Sequence, residues 1–175
     1  MKEFGVIVKY PDKFLRKRSA DVPVEECGDF SEIIEKMKHI MYSKDGVGLA
    51  APQVGLSARV ITVDPSPAEE PYGFMYFINP EIIARSKNED IMEEGCLSLP
   101  GIIAPVVRAV DVKIRYNTLD GEVKEAVFSD FTARVLQHEI DHLNGILFID
   151  RVTPAELLKI KPELKELENE YKSSK

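Results

Sequence analysis

Gln137-His138-Glu139-Ile140-Asp141-His142-Leu143-Asn144-Gly145 is the stretch from which the rest of the chain is read. On a helix, residues four apart stand one above the other, so His138 and His142 aim their imidazoles at one point while Glu139 lies on the next row. Two neutral imidazoles on one face form a ligand pair for a borderline divalent metal, and a flanking carboxylate can take a proton from water held there. The helix stands without the metal: Asp130 is placed as its N-cap, Leu136, Ile140 and Leu143 form an apolar stripe, and Asn144-Gly145 is a stop signal. The bland alternative is a pair of half-buried histidines on an amphipathic helix. Against it, these are two of the chain's three histidines, four apart with a glutamate between them.

A chain of 175 residues suits one domain with a real core, here residues 1–175 with a C-terminal helix over about 154–172. With 44% hydrophobic and 30% charged residues it has a globular composition, and no apolar run is long enough to span a bilayer. Met1 to Val8 lacks a signal-peptide pattern, so a cytoplasmic location is expected. Two cysteines, Cys27 and Cys96, are too few for a disulfide scaffold. Cys27 reads as inert, with nothing pointing at it. The net charge of −7, scattered along the chain, speaks against direct nucleic-acid binding and for small or peptide substrates.

The patterning predicts an α+β fold, with mostly antiparallel sheets packed around a central metal-binding helix and helices in the N- and C-terminal regions. A first helix is expected over Phe30–Ser43, with Asp29 and Glu32 as a capping box and Phe30, Ile33, Ile34, Met37, Ile40 and Met41 on one face. His39 on that helix reads as structural or solvent-facing. Val60–Val63 and Phe74–Ile78 read as strands, Glu81–Arg85 as extended, and Val110–Tyr116 with Val123–Phe128 as a hairpin across Leu119-Asp120-Gly121-Glu122. A short strand is expected at Ile146–Ile149. Thr153-Pro154-Ala155-Glu156 then opens a helix broken or kinked at Pro162. Gly46-Val47-Gly48-Leu49-Ala50-Ala51-Pro52-Gln53 is glycine-rich yet apolar, as in a tightly packed buried loop, and its Gln53 could donate to an oxyanion if it lies near the metal.

A catalytic tetrahedral site wants a third protein ligand. Cys96 in Glu94-Gly95-Cys96-Leu97-Ser98 competes with Glu163 or Glu166 downstream. Three features favour Cys96: the short helix after His142, the polar surroundings of the glutamates, and a glycine that allows the thiol a tight turn. Asp141, at i−1 to His142, faces another side of the helix and reads as a structural salt bridge or cap, and Arg108 is a candidate partner for Glu94.

Gly46–Gln53, Glu94–Ser98 and His138–His142 occur in this order, and together they resemble the three signature motifs of peptide deformylase. The likeness includes Pro11-Asp12, Leu15, Arg108 and Ala133–Gln137, and covers about Val6 to Arg151. It implies removal of the formyl group from the N-terminal methionine of nascent peptides. Cys96, His138 and His142 would hold one divalent metal, iron(II) ahead of zinc or nickel, although the donor set itself fits zinc, iron(II), nickel or cobalt. Glu139 would be general base and acid, and Gln53 with the Leu97 N–H would stabilise the oxyanion. Gly48 would allow the close approach that rejects an acetyl group. Val47, Gly48, Phe131, Arg134, Val135 and His138 would line the methionine pocket, with the peptide added as a strand along Gly46–Gly48. Some similar bacterial enzymes dock on the ribosome through a basic C-terminal helix. Here Lys161, Lys165, Lys172 and Lys175 are balanced by Glu163, Glu166, Glu168 and Glu170, so that contact is not expected from charge. Two other readings stay open: a zinc endopeptidase using His138, His142 and a downstream glutamate, and a binding module with a closed structural zinc site.

Overall fold

The structure, a computed structural model, describes residues 4–68 and 72–173. Its strands are β1 (Gly48–Ala50), β2 (Val60–Val63), β3 (Met75–Arg85), β4 (Glu89–Cys96), β5 (Leu99–Ala109), β6 (Asp111–Asn117) and β7 (Val123–Ser129). Its α-helices are α1 (Ser31–Ser43), α2 (Asp130–Leu143) and α3 (Pro154–Ser173). One antiparallel sheet runs in the order β1-β2-β3-β6-β7, and β4 and β5 form a separate antiparallel hairpin. This is the α+β arrangement that the patterning predicts, with α2 at its centre.

Three apolar clusters surround α2. Ala133, Leu136, Ile140 and Leu143 pack on the inner face of the large sheet, against Ile61, Phe77, Ile114 and Phe128. The hairpin buries Ile102, Ala104 and Val106 against Ile160 and Leu164 of α3, with Leu15 and Phe148 completing the cluster. On the far side of the sheet, Ile34, Met37 and Met41 of α1 cover Leu49, Val60 and Ile78, where Cys27 is also fully buried. His39 is exposed.

The predicted β6–β7 hairpin forms with its full register, from Asp111 opposite Ser129 to Asn117 opposite Val123. Four expectations need correction. Ser129, not Asp130, is the N-cap of α2; Asp130 is the first helical residue and has φ 51°. The Asp29–Glu32 capping box does not form. A 3-10 stretch over Val24–Phe30 leads straight into α1, so Phe30 at the cap has φ −82° and ψ −3° and lacks the extended backbone that a cap requires. Ile146–Ile149 does not form a strand. Instead Phe148–Asp150 is a 3-10 turn, closed by the Leu147 N–H donating to Asp150 Oδ2 at 2.8 Å and held to the N-terminal region by Arg16. Finally, α3 runs unbroken through Pro162. Leu158, whose carbonyl would have received the missing N–H, is 68% exposed, so water can replace that bond. The Thr153 cap of α3 is present, with the Glu156 N–H donating to Oγ1 at 3.2 Å.

The end of α2 is fixed from outside. Arg59, itself buried, donates to the Leu143 carbonyl at 3.3 Å, beside the Ser19 N–H at 2.8 Å, and to Asn144 Oδ1 at 3.0 Å. Gly145 turns the chain away at φ +73°, beneath Arg16, where a β-carbon would stand 2.5 Å from the Arg16 carbonyl oxygen. The chain can pass there only with glycine.

Candidate metal centre

α2 is buried around almost its whole circumference, polar side chains included: Glu139 is 4% exposed and His142 1%. Buried polar groups are costly unless their neighbours satisfy them, so the surroundings of this helix carry the chemistry. Cys96 arrives from the opposite side at the end of β4, where a register shift between Gly95 and Cys96 leads into the turn at Leu97 and Ser98. Such a bulge re-aims a side chain. The Cys96 sulfur lies 3.2 Å from His142 Nε2, and one ligand atom each from Cys96, His138 and His142 lie within 4.8 Å of one another.

Glu94 sets the orientation of His138. Burial pushes its carboxyl up, but hydrogen bonds from Arg108 and His138 outweigh that and hold it at about 2. An ionised carboxylate only accepts, so the contact of 3.0 Å between His138 Nδ1 and Glu94 Oε2 places a ring proton on Nδ1 and turns Nε2 to the Cys96 side. At His142, burial and the neighbouring His138 hold the imidazole well below its ordinary value, neutral as a metal ligand must be. At His138 burial acts in the same sense, yet Cys96 and Glu94 overcome it and draw positive charge to this point. One sulfur and two imidazole nitrogens, gathered where the protein attracts positive charge, fit a borderline divalent cation.

Glu94 is itself clamped. Arg108 donates to both of its oxygens at 2.7 and 2.9 Å, and reaches Asp141 Oδ2 at 2.7 Å. Arg151 holds the other side of Asp141 at 2.7 Å, so Asp141 takes the structural salt bridge expected of it. Arg134 adds a bond to Glu94 at 2.8 Å and pairs with Asp90. Replacing Arg108 by alanine would leave two buried carboxylates short of their partner and is expected to cost about 3–5 kcal/mol of stability in urea unfolding. Glu94, held below its ordinary 4.5, contributes stability that is complete above that value and is lost as pH falls through about 2. The variant loses this protection, so its acid unfolding moves to higher pH.

Glu139 differs from Glu94 in having no salt bridge among the described residues, although His138 and Arg108 draw its carboxyl down from a distance. Burial raises its carboxyl to about 7, and its Oε2 has no hydrogen-bond partner among the described residues. It lies against Gly48, where an added β-carbon would stand 2.5 Å from Oε1. Gly48→Ala is therefore expected to displace the carboxylate and lower kcat/KM about 10²-fold, with metal content by elemental analysis unchanged. Gln53 is buried, its Oε1 accepting from the Ala50 N–H at 2.8 Å, which directs Nε2 to Ser98 Oγ at 3.3 Å and toward Cys96 Sγ at 3.5 Å.

These groups open on a cavity of about 920 Å³. Its walls include the predicted Val47, Gly48, Phe131, Arg134, Val135 and His138, together with Gln53, Cys96, Leu97 and Glu139; His142 sits behind them. Glu163 and Glu166, the competing ligands, are exposed on α3 and lie outside the cluster. Two neighbours of the site went unseen in the sequence. Glu94 reads from the sequence as a partner for Arg108, while its bond to His138 comes only with the fold, across the register shift that separates it from Cys96. Phe148, stacked on His138 with ring centres 6.1 Å apart, is positioned by the 3-10 turn over Phe148–Asp150.

Comparison with known proteins gives one answer. The family described as polypeptide deformylase matches residues 5–157. The peptide deformylase of Thermotoga petrophila is 43% identical over 159 residues, covering 90% of this chain and 93% of its own length. That of Thermodesulfovibrio yellowstonii is 45% identical over 148 residues, covering 85% and 88%. Among solved structures, an Arabidopsis thaliana peptide deformylase 1B superposes with a TM-score of 0.89 at 38% identity over 96% of this chain and 91% of that one. A Plasmodium falciparum peptide deformylase gives 0.87 at 40% identity, over 95% and 97%. The matched span contains every ligand, clamp and cavity residue described above, and on this ground the chain belongs to the polypeptide deformylase family of metal-binding hydrolases.

Proposed function

We propose that this enzyme removes the formyl group from the N-terminal methionine of newly made polypeptides, releasing formate and a free amino terminus. The observation that carries the reading is the Cys96–His138–His142 donor set with, beside it, the carboxylate of Glu139, whose Oε2 has no hydrogen-bond partner among the described residues, at the wall of one cavity. A divalent cation bound by those three residues supplies Lewis acidity to the attacking water and to the formyl oxygen. Iron(II) is the metal we infer, with zinc or nickel as substitutes.

The chain's own residues supply the rest. Glu139 takes the proton of the attacking water and delivers it to the departing amine, and a carboxyl near 7 suits both directions of transfer. Gln53 Nε2, fixed by the bond of its own oxygen to Ala50, and the Leu97 N–H meet the negative oxygen that forms on the formyl carbon. Val47, Phe131, Val135 and the stem of Arg134 receive the methionine side chain, and the backbone of Gly46–Gly48 pairs with the peptide. Gly48 brings Glu139 so close to the chain that the formyl hydrogen fits where an acetyl methyl does not.

A metallopeptidase with a glutamate third ligand is disfavoured by the exposed positions of Glu163 and Glu166. Along α3 the exposed Lys161, Lys165 and Lys172 recur on one flank, but Glu168, seven residues after Lys161 and four before Lys172, falls on that flank too, while Glu163, Glu166 and Glu170 recur on the other. That flank is mixed in charge, as the composition is, so the helix offers no basic stripe to the ribosome; we infer a location in the cytoplasm, where newly made polypeptides are the substrate. No helix of the described residues is long and apolar enough to cross a membrane.

The test is mass spectrometry of an N-formyl-methionyl peptide and its N-acetyl twin after incubation with anaerobically prepared protein loaded with iron(II) or nickel. Loss of the formyl group alone, with the acetyl peptide intact, is expected. Internal cleavage of either peptide would move the assignment to a peptidase.

A further inference from the structure

The wall of the cavity continues past its mouth. On the β4–β5 hairpin, successive rungs pair Gly95 with Ile103, Glu93 with Pro105 and Ile91 with Val107. The intervening residues Ile102, Ala104 and Val106 turn inward and are buried in the cluster with α3. A sheet with one face on the core ordinarily presents polar side chains on the other. Here the outward side chains are mostly apolar: Ile91 is 68% exposed, Ile103 60% and Val107 43%. Glu93, Gly95 and Ile103 line the cavity, and Ile103 Cγ1 leans to 3.7 Å from the β-carbon position of Gly95. The strip therefore starts in the cavity wall and leads away from Cys96. At about 3.3 Å per residue, Ile91 lies about 16 Å along the strand from Cys96. Apolar residues scattered singly over a surface need no explanation, but a continuous strip that begins in a binding cavity does.

We propose that this strip is a second binding surface for the substrate polypeptide, holding apolar side chains about four to six residues from its formyl end. Two features select this occupant. The strip is continuous with the cavity, and its reach matches an extended chain whose formyl carbon is at Cys96. Glu93 is the one charged side chain on these three rungs, so the surface accepts aliphatic residues and disfavours acidic ones beside Glu93. The proposal rests on the deformylase reading and adds to it a preference for nascent chains with apolar segments just behind the start.

The experiment compares three N-formyl-methionyl substrates: a tripeptide, an octapeptide with leucine and valine at positions four to six, and an octapeptide with serine and glycine there. Each is given to the metal-loaded wild-type enzyme and to Ile91→Thr/Val107→Thr, which keeps β-branching and hence the strand. In the wild type, kcat/KM for the apolar octapeptide is expected to exceed that of the other two about tenfold. The double variant is expected to lose that advantage while keeping the tripeptide rate and the melting temperature. No advantage in the wild type, or an advantage that survives the double substitution, would overturn the proposal. Sedimentation of both proteins distinguishes the other occupant: a dimer dissolved by the substitutions, with no apolar advantage, would assign the strip to a second copy of the chain. Failure of the wild type to deformylate even the tripeptide would instead remove the deformylase reading beneath it.

Discussion

Glu139→Gln is expected to lower kcat/KM about 10⁴-fold, the upper end of what a positioned acid-base group contributes, because one carboxylate here serves both proton transfers. The amide is nearly isosteric and can hold the same place against Gly48, but it cannot take a proton from water near neutral pH. Metal content, read by elemental analysis, should match that of the wild type, since Glu139 is not among the three gathered ligands. The substitution should leave the melting temperature unchanged or higher, because it removes a buried carboxyl whose Oε2 has no hydrogen-bond partner among the described residues. A variant retaining a tenth of the wild-type rate would show that Glu139 is not the proton carrier. A variant without metal would show that the carboxylate supports the ligands.

Cys96→Ser has the second large effect. A neutral hydroxyl replaces a soft sulfur donor, and affinity for the divalent ion is expected to fall by at least about 10²-fold, more than loss of an outer partner of a ligand produces. Competition with a chromogenic chelator reads the change directly, and activity falls with occupancy. Retention of full affinity would mean that the ion is held by the imidazoles with some other group, and would revive the carboxylate-liganded peptidase that the placement of Glu163 and Glu166 disfavours. In the sulfur-liganded site, adding excess metal to the variant restores occupancy ahead of activity, because Gln53 loses the sulfur toward which its amide is directed.

The sequence makes the helix of the site legible because its signals are local. His138 and His142 share a face by spacing alone, Asn144-Gly145 stops the helix, and the β6–β7 hairpin announces itself by strict alternation around a glycine turn. The β4–β5 hairpin, which delivers Cys96, is much less legible. All of β4 up to Glu93 is exposed, so it has no buried alternation to read, and Pro100, Gly101 and Pro105 interrupt β5 with residues that ordinarily argue against a strand. The misplaced caps share one cause. Whether Asp29 or Asp130 caps a helix depends on the backbone angle of the incoming chain, and tertiary packing sets that angle. The same holds for Ile146–Ile149, whose apolar composition fits either a strand or a buried 3-10 turn. The orienting bond from Glu94 to His138 spans 44 positions in the chain, and only the fold brings those two groups together.

The enclosure of α2 has a consequence for solvent exchange. Packed by the large sheet, the hairpin and their flanking residues, and pinned at its end by Arg59, the helix has no side from which it can fray. Its backbone amides from Ala133 to Leu143 can then reach deuterated water only when the whole fold opens, so their protection measures the global free energy of unfolding. The amides of the exposed β4 residues Glu89–Glu93 exchange through far smaller openings. The two imidazoles and Glu139 thus ride on the slowest-exchanging part of the molecule, while the strand that brings the sulfur to them lies in a two-stranded hairpin and opens more readily.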